Sequence, residues 1–109
     1  MSASVPSIDV RMLEARLRTG IPPLLLDVRE PHEIEICALE NIVSMPLATV
    51  PQSAAALPRD RDIVVICHHG GRSLKAALYL QSQGFDKVIN LSGGMHAWAT
   101  DIDKDMATY

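Results

Sequence analysis

The chain alternates between short continuous apolar runs and stretches whose apolar residues recur at helical spacing. Four runs are typical of strands: PPLLLDV, NIVSMP, DIVVIC and KVINL. The continuous apolar run in PPLLLDV suits a strand that is buried on both faces of a sheet. The segments between the four runs carry helical spacing, or the prolines and glycines that begin and end helices: DVRMLEARLRTG, REPHEIEI, TVPQSAAAL, RSLKAALYLQSQG and GGMHAWA. Strands that alternate with helices in this order predict an α/β fold with a central parallel sheet and helices on both faces.

Helical periodicity also predicts which faces of the helices are buried. Asp9 is a candidate N-cap for the first helix, and Gly20 is placed to end it. Gly84 has the same terminating role in the longest helix. The residues predicted to face the core are Met12, Leu13 and Leu17 in the first helix and Leu74, Ala77, Leu78 and Gln81 in the longest one.

Length and composition indicate a single globular domain. The 109 residues are 48% hydrophobic, 21% charged and 4% aromatic, which is ordinary for a chain with one core. No repeat, low-complexity tract or linker divides the sequence. We therefore expect one domain over residues 1–109, with residues 1–6 and 102–109 as ends that are free to fray.

Charge and apolar patterning restrict the partners and the compartment. The net charge of −3 and the scattered basic residues argue against nucleic acid as a partner. No apolar stretch is long enough for a membrane span, and the first residues lack the pattern of a secretory signal. We expect a cytoplasmic protein that does not bind membranes, in which Cys37 and Cys67 stay reduced.

The segment CHHGGRS, residues 67–73, combines a nucleophile with a loop suited to anions. Cys67 ends the run DIVVIC, and ligand sites of parallel sheets lie at the carboxyl ends of their strands. Gly70 and Gly71 allow amides to turn inward, and the following helix adds unpaired amides and the positive end of its dipole. This arrangement favours the thiolate of Cys67 and predicts an exposed nucleophile. The alternative is a buried structural cysteine, the commoner role of a lone cysteine.

Side chains near this loop allow more than one role. His68 and His69 either adjust the charge of the site near neutral pH or point to solvent and contribute only their amides. Arg72 either contacts an oxyanion of a substrate or pairs with Glu33 or Asp27 and holds the loop in shape. Of these two roles for Arg72, the structural one is slightly favoured.

The second cysteine and the histidines bear on redox and metal chemistry. Cys37 is expected to be a small apolar filler, with a resolving thiol for Cys67 as the alternative. Cys37, His68, His69 and His96 do not have the sequence spacing of a zinc site. No metal is therefore expected.

Four segments, taken in order, resemble the rhodanese family, in particular its small single-domain sulfurtransferases. They are LLLDVREPHE, SMPL, IVVICHHGGRSLKAALYLQSQGF and VINLSGGMHAW. The resemblance implies that Cys67 takes a sulfane sulfur from a donor such as thiosulfate, holds it as a persulfide and passes it to cyanide or a thiol, with no cofactor. Substrate-binding residues would then be His68, His69, Gly70, Gly71, Arg72 and Ser73, with Asp27, Arg29 and Glu33 as structural supports.

The length of the loop bears on the alternative functions. Cys67 to Arg72 is six residues, the length found in the sulfurtransferases of this family, whereas related phosphatases of the same fold have one residue more. A cysteine phosphatase or arsenate reductase is therefore less favoured, and a non-catalytic module that docks to a sulfur-relay partner is the third hypothesis. The expected partners are a small-molecule sulfur donor and a thiol or cyanide acceptor, with a protein sulfur acceptor as a further option.

The chain departs from the family pattern after the second predicted helix. Where the family has Gly-His-Ile-x-Gly-Ala, this chain has CALENI. Asn41 replaces the second glycine, and asparagine tolerates the left-handed backbone better than most residues, so we expect the turn to survive. The histidine of that pattern is absent here, but because the Cys67 loop is intact we expect activity to be retained.

Overall fold

The structure, a computed structural model, describes residues 4–109 as a parallel sheet with helices packed on both faces. The strands are β1 (Ser7–Ile8), β2 (Leu24–Asp27), β3 (Ile42–Ser44), β4 (Ile63–Ile66) and β5 (Val88–Leu91). The helices are α1 (Val10–Arg18), α2 (Pro31–Ile36), α3 (Val50–Ser53), α4 (Gly71–Ser82) and α5 (Gly94–Asp101), with short 3₁₀ turns at Leu47–Thr49 and Ala54–Ala56. The strand order is β1-β5-β4-β2-β3, and every neighbouring pair is parallel. The predicted α/β fold is confirmed.

Strand β4 lies at the centre of the sheet, and all of its residues are buried. Because successive side chains of a strand point to opposite faces, Ile63 and Val65 pack with the residues of α4, while Val64 and Ile66 pack with those of α1 and α5. Each such side chain contributes roughly 1.5–3 kcal/mol relative to an exposed one. Burial on both faces explains why this run is apolar throughout.

The buried face of α1 agrees only in part with the prediction. Asp9 caps the helix as expected and accepts a hydrogen bond from the Met12 amide at 2.8 Å. Leu13 is fully buried and Val10 lies beside it, one turn earlier. Met12 is 53% exposed and Leu17 is 36% exposed, so the prediction was wrong for both. Val10 and Leu13 form the row that faces the sheet.

The buried face of α4 differs more strongly from the prediction. Leu74 is 40% exposed and Leu78 is 36% exposed, and of the predicted row only Ala77 is buried. Small side chains on most of the face toward the sheet let the helix pack close to it, which leaves Leu74 and Leu78 outside. The observed row is Ser73, Ala76, Ala77 and Leu80. Within residues 4–109, no helix has both the length and the apolar character needed to cross a bilayer.

The two ends of the described chain are tied to the domain. Strand β1 pairs with Asn90 and Leu91 of β5. The sequence pattern did not reveal this strand, because two residues are too few to show alternation. Residues 102–109 were expected to be free to fray. In the structure they fold back, so that Ile102 packs on the core and Tyr109 reaches the loop after β4. At the other end Pro6 accepts a backbone hydrogen bond from β5, and residues 1–3 lie outside the described part.

Candidate active site

Cys67 lies where the sequence predicts, immediately after β4 at the carboxyl edge of the sheet. It is only 1% exposed, so the expectation of an exposed nucleophile is wrong for this structure. The cause is the strand itself: Cys67 continues the alternation of Ile63 and Val65 and points into the core on the α4 side. The sulfur sits at the base of the loop rather than at its rim.

Two polar groups contact the buried sulfur. The Gly70 amide donates to Sγ of Cys67 at 3.0 Å, and the Ser73 hydroxyl lies 3.3 Å from the same atom. The Ser73 hydroxyl is also 2.5 Å from Oδ1 of Asn90 and 3.1 Å from the Gly70 carbonyl oxygen. Because a hydroxyl carries one proton, Ser73 donates to one acceptor at a time.

Backbone geometry positions the Gly70 amide. Gly70 has φ of 112°, a region that side chains disfavour, and this turn leads directly into α4. The first-turn amides of α4, from Gly71 to Ser73, have no acceptor within the helix and form the positive end of its dipole. Among the described residues, Gly70 is the one amide that contacts the sulfur. The expectation that several amides surround a bound persulfide stays a prediction.

Arg72 is paired with Glu33, one of the two arrangements that the sequence left open. Both terminal nitrogens of Arg72 donate to the Glu33 carboxylate, at 2.6 Å and 2.7 Å. These hydrogen bonds hold the pKa of Glu33 far below its ordinary range, although its burial opposes the charge. The same bonds raise the pKa of Arg72. Glu33 also accepts from the amide of Glu30, at 3.0 Å, and the pair thus connects the start of α2 to the start of α4.

Asp27 and Arg29 form a fully buried ion pair at the end of β2. The Arg29 guanidinium lies 2.8 Å from the Asp27 carboxylate, and neither side chain is exposed. Burial disfavours the charge of Arg29, but hydrogen bonds with Asp27 and Tyr109 outweigh it and raise its pKa. Arg29 also donates to the Cys37 carbonyl at 2.8 Å. This network fixes the course of the chain from β2 through α2.

His68 and His69 stand at the exposed side of the loop together with His96 from α5. The ring centroids of His68 and His69 are 4.0 Å apart, and the ring of Tyr109 stacks on His68 at 3.9 Å. Burial lowers the pKa of His68, and the neighbouring His69 and His96 lower it further. A lower pKa reduces the positive charge that His68 carries near neutral pH.

Sequence reasoning missed two residues that the fold brings to this site, Asn90 and Tyr109, and it considered His96 only to reject it as a zinc ligand. The Tyr109 hydroxyl donates to Glu33 at 2.8 Å and accepts from Arg29 at 3.0 Å, so the end of the described chain reaches both supporting ion pairs. Nothing in the sequence around Asn90 or Tyr109 marks either residue. Only the topology places them beside residues 67–73.

Cys37 and Asn41 behave as small structural residues. Cys37 is buried in the core cluster on the α1 and α5 side of the sheet, whereas Cys67 belongs to the cluster on the α4 side. Both thiols are free. Asn41 has φ of 62°, the left-handed angle expected where the family pattern has glycine. The turn after α2 is therefore kept despite the altered sequence.

Comparison with known proteins agrees with the fold. A family model described as a rhodanese-like domain matches residues 9–101. A sulfurtransferase of Allochromatium vinosum is 39% identical over 95 residues, which cover 87% of this chain and 89% of that protein. A putative sulfur carrier protein of Bacillus subtilis is 36% identical over 97 residues, but the chain spans only 52% of its length. The crystal structure of a rhodanese-like domain protein from Staphylococcus aureus superposes with a TM-score of 0.84 at 28% identity, over 96% of this chain and 99% of that one.

Proposed function

The chain belongs to the family of rhodanese-like domains, and from that premise we propose that it is a sulfurtransferase in which Cys67 carries the sulfur as a persulfide. The proposed donor is thiosulfate or another small compound with a sulfane sulfur, and the acceptor is a thiol or cyanide. The proposed steps need no metal and no organic cofactor. Because free thiols persist in a reducing compartment, the cytoplasm is part of this proposal.

The chemistry consists of two exchanges at sulfur. The Cys67 thiolate first attacks the outer sulfur of thiosulfate: a bond from Sγ to that sulfur forms, the sulfur–sulfur bond of thiosulfate breaks, and sulfite leaves with its electron pair. The acceptor then attacks the outer sulfur of the persulfide, and the Cys67 thiolate leaves. Cyanide becomes thiocyanate, and a thiol becomes a persulfide. Atoms and electrons balance without an added oxidant or reductant.

One observation carries the proposal: the Gly70 amide points at the Cys67 sulfur from 3.0 Å. An N–H donor beside the N-terminus of α4 stabilises negative charge on that atom, and a thiolate is the nucleophile that both exchanges require. We expect the outer sulfur of the persulfide to be held by the remaining amides of residues 68–73. The short loop, six residues from Cys67 to Arg72, favours this one charged atom over a bulkier phosphate.

The burial of Cys67 means that the site must open before a donor can react. The residue is 1% exposed, and Tyr109 stacks on His68, the next residue in the chain. We propose that movement of His68 together with residues 102–109 uncovers the sulfur. This opening is tested separately below by alkylation of Cys67.

The acceptor is proposed to include protein thiols as well as small molecules. The match to a protein named a putative sulfur carrier supports this part of the proposal. A protein acceptor has to reach the loop, and the histidines at its exposed side are the first residues that it would meet. Transfer to a thiol-bearing protein, compared with transfer to a small thiol, distinguishes the two classes of acceptor.

Intact-protein mass spectrometry tests the central step. The reduced protein is incubated with thiosulfate, freed of excess reagent and weighed. We expect the wild type to gain the mass of one sulfur atom and to lose it again when cyanide is added. The Cys67→Ser variant should gain nothing. The Cys37→Ser variant, which removes the other thiol, should load sulfur as the wild type does.

Two results would contradict the proposal. One is sulfur loading that persists in Cys67→Ser and disappears in Cys37→Ser. The other is a wild type that remains unloaded with thiosulfate and with a small persulfide while it hydrolyses an aryl phosphate in a manner that depends on Cys67. That second result would instead assign the loop to phosphate chemistry.

A further inference from the structure

Three of the four histidines of the chain converge at one place. One ring nitrogen from each of His68, His69 and His96 lies within 4.8 Å of the other two. His68 and His69 follow Cys67 in its loop, whereas His96 belongs to α5, so the cluster joins two separate elements. Sequence spacing alone predicts no metal site here, because the third histidine is brought in by the fold.

The backbone holds the two parts of this cluster in place. The His96 amide donates to the His68 carbonyl at 3.0 Å, and the Met95 amide donates to the Cys67 carbonyl at 2.9 Å. Gly94 makes this approach possible, since a Cβ at that position would overlap with the carbonyl oxygens of both Cys67 and His68. The position of His96 therefore does not depend on its own side chain.

The ring nitrogens are available to a ligand. Nε2 of His68 is buried and has no hydrogen-bond partner within residues 4–109, and leaving a buried polar atom unpaired is unfavourable. His69 and His96 are exposed, so their rings can rotate. Neutral imidazole is the form that binds metals.

The spacing suits a transition metal with nitrogen ligands. Zinc–nitrogen bonds of about 2.0–2.1 Å place the nitrogens of a tetrahedral site roughly 3.4 Å apart. The three ring nitrogens now lie within 4.8 Å of one another. Modest rotation of the two exposed rings would bring them to the separation that such a site needs. A set made only of imidazoles favours zinc, copper or nickel over magnesium or calcium, which prefer oxygen.

We propose that His68, His69 and His96 bind one divalent transition-metal ion, with at least one coordination position open to solvent. Such a site is separate from the sulfur-transfer steps, which use no metal. Two of its ligands, His68 and His69, belong to the loop that holds Cys67, yet all of its ligand atoms are nitrogens. Binding of the metal can therefore be measured whether or not the protein transfers sulfur.

Isothermal titration of the reduced full chain with Zn²⁺ tests the proposal. We expect one ion per chain in the wild type, and an affinity at least about tenfold weaker in His96→Asn, because even loss of a residue that only supports a ligand weakens metal binding by this factor. His32→Asn is the matched control, since His32 is the exposed histidine outside the cluster. It should bind as the wild type does.

Thiols also bind zinc, so Cys67 could account for binding instead of the histidines. A fourth protein, Cys67→Ser, distinguishes these two explanations. Cys67→Ser should keep the affinity of the wild type, and Co²⁺ bound to either protein should show no thiolate-to-metal charge-transfer absorption. Binding that is lost in Cys67→Ser, binding unchanged in His96→Asn, or no binding to the folded wild type would each overturn the proposal. Circular dichroism of every variant shows that the comparison is made on folded protein.

Discussion

Ser73 links the candidate nucleophile to the sheet. It is fully buried and lies between the Cys67 sulfur and Oδ1 of Asn90. We predict that Ser73→Ala lowers the free energy of unfolding by about 1–2 kcal/mol, because the substitution leaves the buried Asn90 oxygen unpaired. It should also slow sulfur loading of Cys67. Urea unfolding measures the first effect and timed intact-mass measurements the second.

Ser92→Ala is the control for this prediction. Ser92 is exposed, and its hydroxyl donates to the Ile8 carbonyl at 3.1 Å rather than to Cys67 or Asn90. Its loss should change stability by less than about 0.5 kcal/mol, as is usual for exposed positions. Equal effects of the two substitutions on loading would show that the Ser73 hydroxyl has no special role.

Gly94 is the residue at which space is most restricted near the site. A Cβ there would overlap with the carbonyl oxygens of Cys67 and His68, and its φ of 58° is strained for other residues. We predict that Gly94→Ala destabilises the protein by more than about 2 kcal/mol, since α5 must move away from the loop. Thermal unfolding measures the loss.

Gly20→Ala separates the backbone strain from the steric overlap. Gly20 has φ of 66°, but a Cβ added there would have no other atom within 4 Å. It should therefore lose only about 1 kcal/mol, the part that comes from the backbone angle. If Gly94→Ala were no worse than Gly20→Ala, the close packing of α5 against the loop would be unimportant for stability.

At the level of elements, Glu33 connects α2 to α4 and makes stability depend on pH. Its pKa is far below the value of about 4.3 expected in an unfolded chain, so its contribution is complete above about pH 5 and is lost as the pH falls. We predict that Glu33→Gln lowers the free energy of unfolding at pH 7 by about 2 kcal/mol, because Arg72 loses a largely buried partner. Between about pH 5 and 3 the difference from wild type should shrink.

Glu35→Gln is the control on the same helix, since Glu35 is exposed. Urea unfolding of the three proteins at a series of pH values gives the comparison. The wild type and Glu35→Gln should lose stability in parallel on acidification, and Glu33→Gln should lose less. Parallel curves for all three would mean that Glu33 and Arg72 do not form a stabilising pair in solution.

Strands whose residues are all buried could be predicted from the sequence. The buried face of a helix was harder to predict, because it depends on how closely the helix packs against the sheet. β2 and β4 are apolar on both faces, so their runs stand out whatever packs against them. The face of α4 was predicted wrongly because large side chains dominate a periodicity argument, whereas the helix packs close through Ala76 and Ala77. β1 has only two residues and leaves no pattern to read.

At the scale of the whole molecule, the site is assembled from parts that are distant in sequence. The cysteine, the glycine turn and the helix start lie in one segment, and for that reason the sequence could predict them. Asn90, His96 and Tyr109 enter through β5, α5 and residues 102–109, so contacts with the loop arise only when the sheet has formed. The burial of Cys67 is likewise a property of the complete fold.

Tyr109 offers the test of how this closed site opens. Its ring stacks on His68 at 3.9 Å, and its hydroxyl bonds to Glu33 and Arg29. We predict that iodoacetamide modifies Cys67 faster in Tyr109→Phe, which loses the hydrogen bonds, and faster still in Tyr109→Ala, which also loses the ring. A buried thiol reacts through the open state of the site. If Tyr109→Ala lowers the free energy of opening by about 1.4 kcal/mol, the population of the open state and the alkylation rate rise about tenfold. Peptide mass mapping assigns the modified cysteine.

A control distinguishes local opening from general loss of stability. Tyr79 packs against the core on the α4 side and is not among the aromatic neighbours of His68 within residues 4–109. Tyr79→Ala should weaken the fold more than Tyr109→Ala does, yet leave alkylation of Cys67 under native conditions slower than in Tyr109→Ala. If the rates instead follow global stability, the sulfur is reached only by unfolding. A domain that must unfold to expose its nucleophile cannot turn over as a sulfurtransferase, so this comparison also decides whether the closed structure is compatible with the proposed function.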